Sequence, residues 1–191
     1  MFPATGVARA DSAVLVVVDI QDRLSRVMSR REAVLNRTAL LLSAAQITGV
    51  PVIMTRQYPQ GLGDFDTELA QRVALLTAAP VVADKTSFDC FGEPAFCDAL
   101  AGTGRRQLIL CGMETHICVT QTALSALGEG MDVHVVADAC CSQSDDSHAI
   151  TLDRLRCAGA TVTLAESVAY ELVERAGTER FKALLKAVKG L

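Results

Sequence analysis

The feature that most constrains this chain is a recurring glycine. Gly49, Gly104, Gly130 and Gly159 each follow a stretch of helical apolar spacing, and each shortly precedes a run rich in Val, Ile or Leu. Glycine is the usual residue just past a helix C-terminus, because it tolerates positive φ. Helix, glycine, strand, in that repeated order, predicts βα alternation. It therefore predicts a mostly parallel sheet with helices on both faces.

The expected strands are Ala13–Val18, Val52–Thr55, Val81–Ala83, Leu108–Cys111, Val133–Ala137 and Val162–Leu164. They lack polar alternation, as strands buried on both faces do. Helical spacing runs over Ala33–Thr48, Ala95–Leu100, Val119–Leu127, Ala149–Cys157 and Phe181–Val188. The stretches Gln57–Asp66, with Pro59, Gly61 and Gly63, and Asp84–Pro94 read as loops. Both follow strands and so belong at the carboxyl edge of the sheet, where open α/β folds bind ligands. A length of 191 residues fits one domain spanning residues 1–191.

Composition narrows the function classes. Half of the residues are apolar, 21% are charged, and the formal net charge is -4. Nothing in that balance favours nucleic acid or an anionic membrane surface as partner. The pairs Arg30-Arg31 and Arg105-Arg106 read as solvated surface. No apolar run approaches the roughly 20 residues of a spanning helix. The N-terminus has no basic stretch leading into an apolar one, so a cytoplasmic protein acting on a small molecule is expected. The cysteine count of 7 is odd and no Cys-x-x-Cys pair occurs, which argues against a disulfide framework or a zinc ribbon. The histidines His116, His134 and His148 are not spaced as metal pairs. Gly102-Thr103-Gly104 imitates part of a dinucleotide fingerprint but precedes a strand instead of following one.

Three reactive side chains fall at the carboxyl edge. Asp19 ends the first strand, Lys85 lies just past the third, and Cys118 follows the fourth. Thr115 is an expected N-cap, which puts Cys118 in the first turn of a helix. The helix dipole and free N–H groups there favour thiolate, and a lysine ammonium would add to the effect. An aspartate can take the thiol proton. First-turn N–H groups can hold an oxyanion. Gln21, on the same strand face as Asp19, either meets substrate or bonds a neighbouring loop. Tyr58, Phe88 and Phe91 either line the pocket or pack in the core. Helix geometry turns His116 away from Cys118. His148 is expected to be structural, and Asp145-Asp146 to serve a helix N-terminus.

Val16-Val17-Val18-Asp19-Ile20-Gln21, Lys85-Thr86-Ser87-Phe88 and Gly112-Met113-Glu114-Thr115-His116-Ile117-Cys118-Val119, with Asp138-Ala139 after the fifth strand, carry a family likeness. In these motifs and their order the sequence resembles the isochorismatase-like cysteine hydrolases, which include nicotinamidases and N-carbamoylsarcosine amidase. The resemblance implies a three-layer αβα Rossmann-like fold with a six-stranded parallel sheet in the order 3-2-1-4-5-6. It implies Asp19 as general base, Cys118 as nucleophile and Lys85 as stabiliser of the thiolate. It also implies a cis Met113–Glu114 peptide, with the N–H groups of Glu114 and Cys118 as oxyanion hole. Nicotinamidases carry Asp and His metal ligands after the second strand. Here Thr55-Arg56-Gln57-Tyr58-Pro59-Gln60-Gly61-Leu62-Gly63 contains no histidine, so neither metal nor other cofactor is expected. The acids that follow, Asp64, Asp66 and Glu68, suit a helix N-terminus better than a metal. A homo-oligomer is expected from the relatives. The implied activity is hydrolysis of a small amide-like or ureido-like C–N bond through a thioester. The alternatives are isochorismatase-type ether hydrolysis using Asp19, and a thiol redox sensor or scaffold without turnover.

Overall fold

The computed structural model describes residues 6–190, so residues 1–5 and 191 of the expected domain lie outside the described residues. The strands are β1 (Ala13–Val18), β2 (Val52–Gln57), β3 (Val81–Lys85), β4 (Gln107–Met113), β5 (Asp132–Cys141) and β6 (Thr161–Thr163). They form one six-stranded sheet in the order β3-β2-β1-β4-β5-β6, and every neighbouring pair is parallel. All six expected strands are present, and four of them run further at their carboxyl ends than hydropathy indicated. The added residues include the polar Gln57 and Lys85, which a hydropathy pattern cannot assign to a strand.

The helices are α1 (Asp22–Ser25), α2 (Arg31–Thr48), α3 (Pro59–Leu62), α4 (Thr67–Val73), α5 (Pro94–Thr103), α6 (Thr120–Gly128), α7 (Asp145–Cys157), α8 (Ala165–Val173) and α9 (Glu179–Lys189). Helices α2, α8 and α9 pack together and against β1 and β5, while α5, α6 and α7 contact strands β2, β3, β5 and β6. The sheet is thus sandwiched between helical layers, and β1 through its centre is wholly buried. Helix α2 stops at Gly49, whose φ of 77° lets its N–H return to the Ala45 carbonyl and close the last turn. Helix α8 was not expected, although Ala165, Val168, Ala169, Leu172 and Val173 are its buried face at helical spacing.

Two expectations are corrected here. Arg31 is not solvated surface: its guanidinium grips both oxygens of the buried Asp66 at 2.8 Å each and also reaches Glu68 at 2.9 Å. Asp66 in turn caps α4 by accepting from the Glu68 N–H. The stretch Gln57–Asp66 is not loop throughout: it begins with the last residue of β2 and contains α3.

The strand order reverses between β1 and β4, so the chain leaves these adjacent strands in opposite directions. That divergence opens the crevice in which doubly wound folds bind ligands. Gly112 makes it tight. A Cβ there would lie 2.0 Å from the Val18 carbonyl oxygen, and the residue has φ +126°. No L side chain fits where β4 passes the end of β1.

Candidate functional site

Asp19 follows β1 directly in a left-handed conformation, φ 51°, uncommon outside glycine but tolerated by aspartate. Its side chain is fully buried. Oδ1 accepts from the Thr55 hydroxyl on β2 at 2.7 Å. Oδ2 stands 2.7 Å from Lys85 Nζ as an ion pair. Among the described residues no donor is aligned on Oδ2 as a hydrogen bond.

Lys85 is the last residue of β3 and its Cα is in register with Gln57 of β2. Its ammonium is buried and surrounded by acceptors: Asp19 Oδ2, Gln57 Oε1, and the carbonyls of Ser87 at 3.2 Å and Phe88 at 3.3 Å. Burial by itself would push the Lys85 ammonium down, but Asp19, Cys118 and Cys90 together outweigh it and hold the group above its ordinary value.

Cys118 lies in a single π-helical turn, Thr115–Val119, between β4 and α6. Such turns recur at functional sites. The Met113–Glu114 peptide preceding it is cis, as the family resemblance implies. The expected cap is corrected: Glu114 occupies the cap position without a side-chain bond, and the Thr115 hydroxyl instead meets His148 Nδ1 at 2.9 Å. Cys118 is 5% exposed, and both Asp19 and Lys85 act on its thiol by charge. The three side chains singled out from sequence therefore meet at one point.

The pull toward thiolate expected at this position is outweighed by the same contacts. Burial, then the charge of Asp19, pushes the Cys118 thiol up to about 12, against the downward pull of Lys85. The helix terminus and the lysine favour thiolate. The fold adds desolvation and sets the negative charge of Asp19 beside the sulfur, and both oppose thiolate.

The other candidates separate. Gln21 is fully buried and braces the chain: Oε1 accepts from the Gln57 N–H at 2.7 Å, and Nε2 donates to the Gln57 and Gly63 carbonyls at 3.1 and 2.7 Å. This is the loop bond weighed against substrate contact, and it commits both ends of the amide. Phe91 packs edge-on against the buried Phe96, with centroids 5.4 Å apart, which gives it the core-packing role. It also borders a cleft of about 540 Å³ reaching to Arg105 and Arg106 ahead of β4, at the opposite edge of the sheet. Tyr58 and Phe88 are different. They are 54% and 53% exposed, and both touch Lys85: the Tyr58 N–H donates to its carbonyl at 2.8 Å, and the Phe88 carbonyl accepts from its ammonium. His116 turns to Ser142 at 2.9 Å. Asp145 and Asp146 stand in the first turn of α7, whose cap is Ser144.

Thr55 and Gln57 were not anticipated. Both are polar residues at the end of an apolar strand, and that placement is the only signal of them in the sequence. The acids after β2 are committed to arginines, with Asp64 on Arg56 and Asp66 and Glu68 on Arg31. Among the described residues no three or more His, Cys, Asp or Glu side chains group as metal ligands.

A doubly wound parallel sheet with such residues at its switch point defines a class of α/β enzymes. The isochorismatase domain model matches residues 13–167. Isochorismatase domain-containing protein 2 of Bos taurus is 37% identical over 98% of this chain and 88% of its own length. The secreted isochorismatase effector Isc1 of Phytophthora sojae is 35% identical over 93% of this chain and 85% of its own. Among solved structures, the MAR1 ribonuclease from Caenorhabditis elegans superposes with a TM-score of 0.87 at 31% identity, covering 96% of this chain and 92% of that one. YcaC from Pseudomonas aeruginosa, determined with hexane-2,5-diol and covalent acrylamide, gives 0.85 at 27% identity, covering 98% and 92%. YcaC from Escherichia coli, described as an octameric hydrolase of unknown specificity, gives 0.85 at 27%, covering 95% and 88%. The chain belongs to the isochorismatase family and has its hydrolase fold. No described helix is long and apolar enough to cross a membrane.

Proposed function

We propose that this protein is a cysteine hydrolase that cleaves a small amide-like or ureido-like C–N bond. The observation that carries the reading is the convergence of Asp19, Lys85 and Cys118, with Oδ2–Nζ at 2.7 Å and the thiol against both. Because burial keeps the sulfur protonated at rest, a base must act during attack. Asp19 accepts the thiol proton as sulfur bonds to the carbonyl carbon. The N–H groups of Glu114 and Cys118 receive the oxyanion, which a dry site stabilises strongly. Asp19 then returns the proton to the departing nitrogen, and the C–N bond breaks to leave a thioester. Water gives a proton to Asp19 and attacks the thioester. The acid leaves, and the thiol regains its proton.

Lys85 offsets the negative charge that passes between carboxylate and sulfur, and needs no proton transfer of its own. In this reading the exposed side chains of Tyr58 and Phe88, whose backbones bond Lys85, receive a small, largely apolar substituent. Two cations at this edge are already paired, Lys85 with Asp19 and Arg56 with Asp64 and Asp84. That favours a neutral carbonyl compound over a phosphodiester, despite the ribonuclease named in the C. elegans relative's description. Covalent acrylamide in the P. aeruginosa YcaC structure, an electrophile that captures thiols, supports a reactive sulfur in this fold. The octamer described for the E. coli protein supports a homo-oligomer here.

The test is limited iodoacetamide labelling with peptide mass mapping, followed by a screen of small amides for ammonia or amine release. Cys118 should label before the other cysteines once the pH permits, and labelling should abolish turnover. Preferential labelling elsewhere, with turnover retained, would overturn the assignment.

A further inference from the structure

Gln57 is a side chain that contacts both Lys85 and Cys118 without being part of the trio. It is 8% exposed, and its place follows from register: Gln57 ends β2 directly beside Lys85 at the end of β3. Its backbone N–H is held by Gln21 Oε1 at 2.7 Å. Its Nε2 donates to the Thr86 carbonyl at 2.8 Å, so Oε1 faces the Lys85 ammonium. Chemistry independently requires that orientation. The reversed amide would set its NH₂ against the ammonium and its oxygen against the Thr86 carbonyl. The same Oε1 is 4.0 Å from Cys118 Sγ, within reach of a thiol donor.

We propose that Gln57 is a positioning residue of the site, fixing the Lys85 ammonium and acting with Asp19 as a resting acceptor for the Cys118 thiol. The inference rests on the hydrolase reading of the trio. An ammonium has three hydrogens, and at rest Lys85 donates to three acceptors, Gln57, Ser87 and Phe88, while Asp19 pairs with it by charge. It therefore has no hydrogen to spare for sulfur. Gln57 Oε1 is a neutral acceptor that borders both groups. While it holds the lysine and faces the thiol, it presents the negative end of a dipole to the sulfur and disfavours thiolate. When sulfur becomes negative in the reaction, Lys85 can redirect to it the hydrogen on Gln57, the acceptor it shares with the thiol. The amide thus keeps the nucleophile quiet until the carbonyl arrives.

Other groups act on the same sulfur and on its partners. Asp19 approaches from β1, Lys85 from β3, and Cys90 from the turn after β3, where it lies against Lys85 and Asp19. On the segment of Cys118 itself, Glu114 accepts from the Gln143 N–H and His116 meets Ser142. From α7, His148 stands behind Thr115. All of them stay in place in the variants below.

The experiment follows the rate of Cys118 alkylation against pH, by peptide mass mapping, in Gln57→Met and Gln57→Glu. Methionine removes the acceptor and frees a Lys85 hydrogen for sulfur. Its profile should move about one pH unit lower, which is about tenfold faster labelling at pH 8. Glutamate keeps an acceptor on Lys85 and adds negative charge beside the sulfur, so its profile should move to higher pH. Circular dichroism and thermal melting establish that each variant is folded, and Gln57→Asn replaces whichever is not. Asparagine withdraws the carbonyl from both partners, so its profile should move as that of methionine does. A merely structural glutamine would alter the melting temperature and leave the folded protein's profile in place. Superimposable profiles, or movement of Met and Glu in one direction, would overturn the proposal while Cys118 remained the preferred thiol. Failure of the hydrolase reading would appear separately, as preferential labelling elsewhere in the unsubstituted protein.

Discussion

At the scale of single residues the site is an arrangement of opposing charge effects on one sulfur. Asp19 and Lys85 act on Cys118 with opposite sign, so their substitutions should separate cleanly. Lys85→Ala removes the group that favours thiolate. The alkylation profile of Cys118 should move to higher pH, and labelling at neutral pH should fall about tenfold for each pH unit the profile moves. Asp19→Asn removes the charge that disfavours thiolate, so its profile should move to lower pH. Turnover should nevertheless fall, by about 10²–10⁴, because the proton acceptor is gone. Rapid labelling with poor turnover in Asp19→Asn is the signature of a general base; a purely structural aspartate would not dissociate the two. The positions of all three residues were legible in the sequence, each beside a strand end. Their electrostatics were not. A string of residues shows neither how deeply a thiol is buried nor which acceptor faces it, and those two quantities set its ionisation.

At the scale of elements, the crevice depends on how closely β4 approaches β1. Gly112→Ala places a methyl group 2.0 Å from the Val18 carbonyl oxygen at a φ of +126°. The backbone must give way beside Asp19. We expect destabilisation of about 3 kcal/mol or more, measured by urea unfolding, with Cys118 losing its preferential labelling in whatever folds. A second element-level test concerns the bracing of α4 and α2. Asp66 is wholly buried, and Arg31 pairs with it bidentately. Asp66→Ala strands a partly buried arginine and removes the cap of α4, and should cost about 3–5 kcal/mol by urea unfolding. Helix α4 is too short for its apolar spacing to stand out from the loop before it. Asp66 itself reads from sequence as suited to a helix N-terminus, but the arginine that holds it lies far away along the chain.

At the scale of the whole molecule, the buried thiols make stability depend on alkaline pH. Burial pushes Cys90, Cys111, Cys118 and Cys141 each up to about 12, from an ordinary value of 9.0. The folded protein therefore retains protons that the unfolded chain releases above about pH 9. Where the native state binds more protons, stability falls as pH rises. The contribution is complete below about pH 9 and is lost progressively toward pH 12. Urea midpoints should decline from pH 8.5 to pH 10.5, and Cys111→Ala, though less stable overall, should show a shallower decline. A midpoint flat across that range would contradict the burial of these thiols. Catalysis on a cognate amide should survive EDTA, since the acids after β2 are bound to arginines and the attacking group is sulfur. Elemental analysis with one transition metal per chain, and activity lost on chelation and restored by that metal, would refute this.

The sequence by itself determined the layered parallel sheet, because uninterrupted runs such as Ala13–Val18 are stable only when helices cover both faces. Glycines such as Gly49 mark where those helices must stop. It also determined which side chains stand at the carboxyl edge, since a strand end is a local property of the chain. Only the tertiary structure decided that Gln57 faces both Lys85 and Cys118, that Gln21 braces a loop, that Phe91 packs inward and that Thr55 holds Asp19. Each of these depends on register between strands or on packing between segments far apart in sequence. Register, burial and the choice of hydrogen-bond partner are properties of pairs of residues, and the chain determines them only once it has folded.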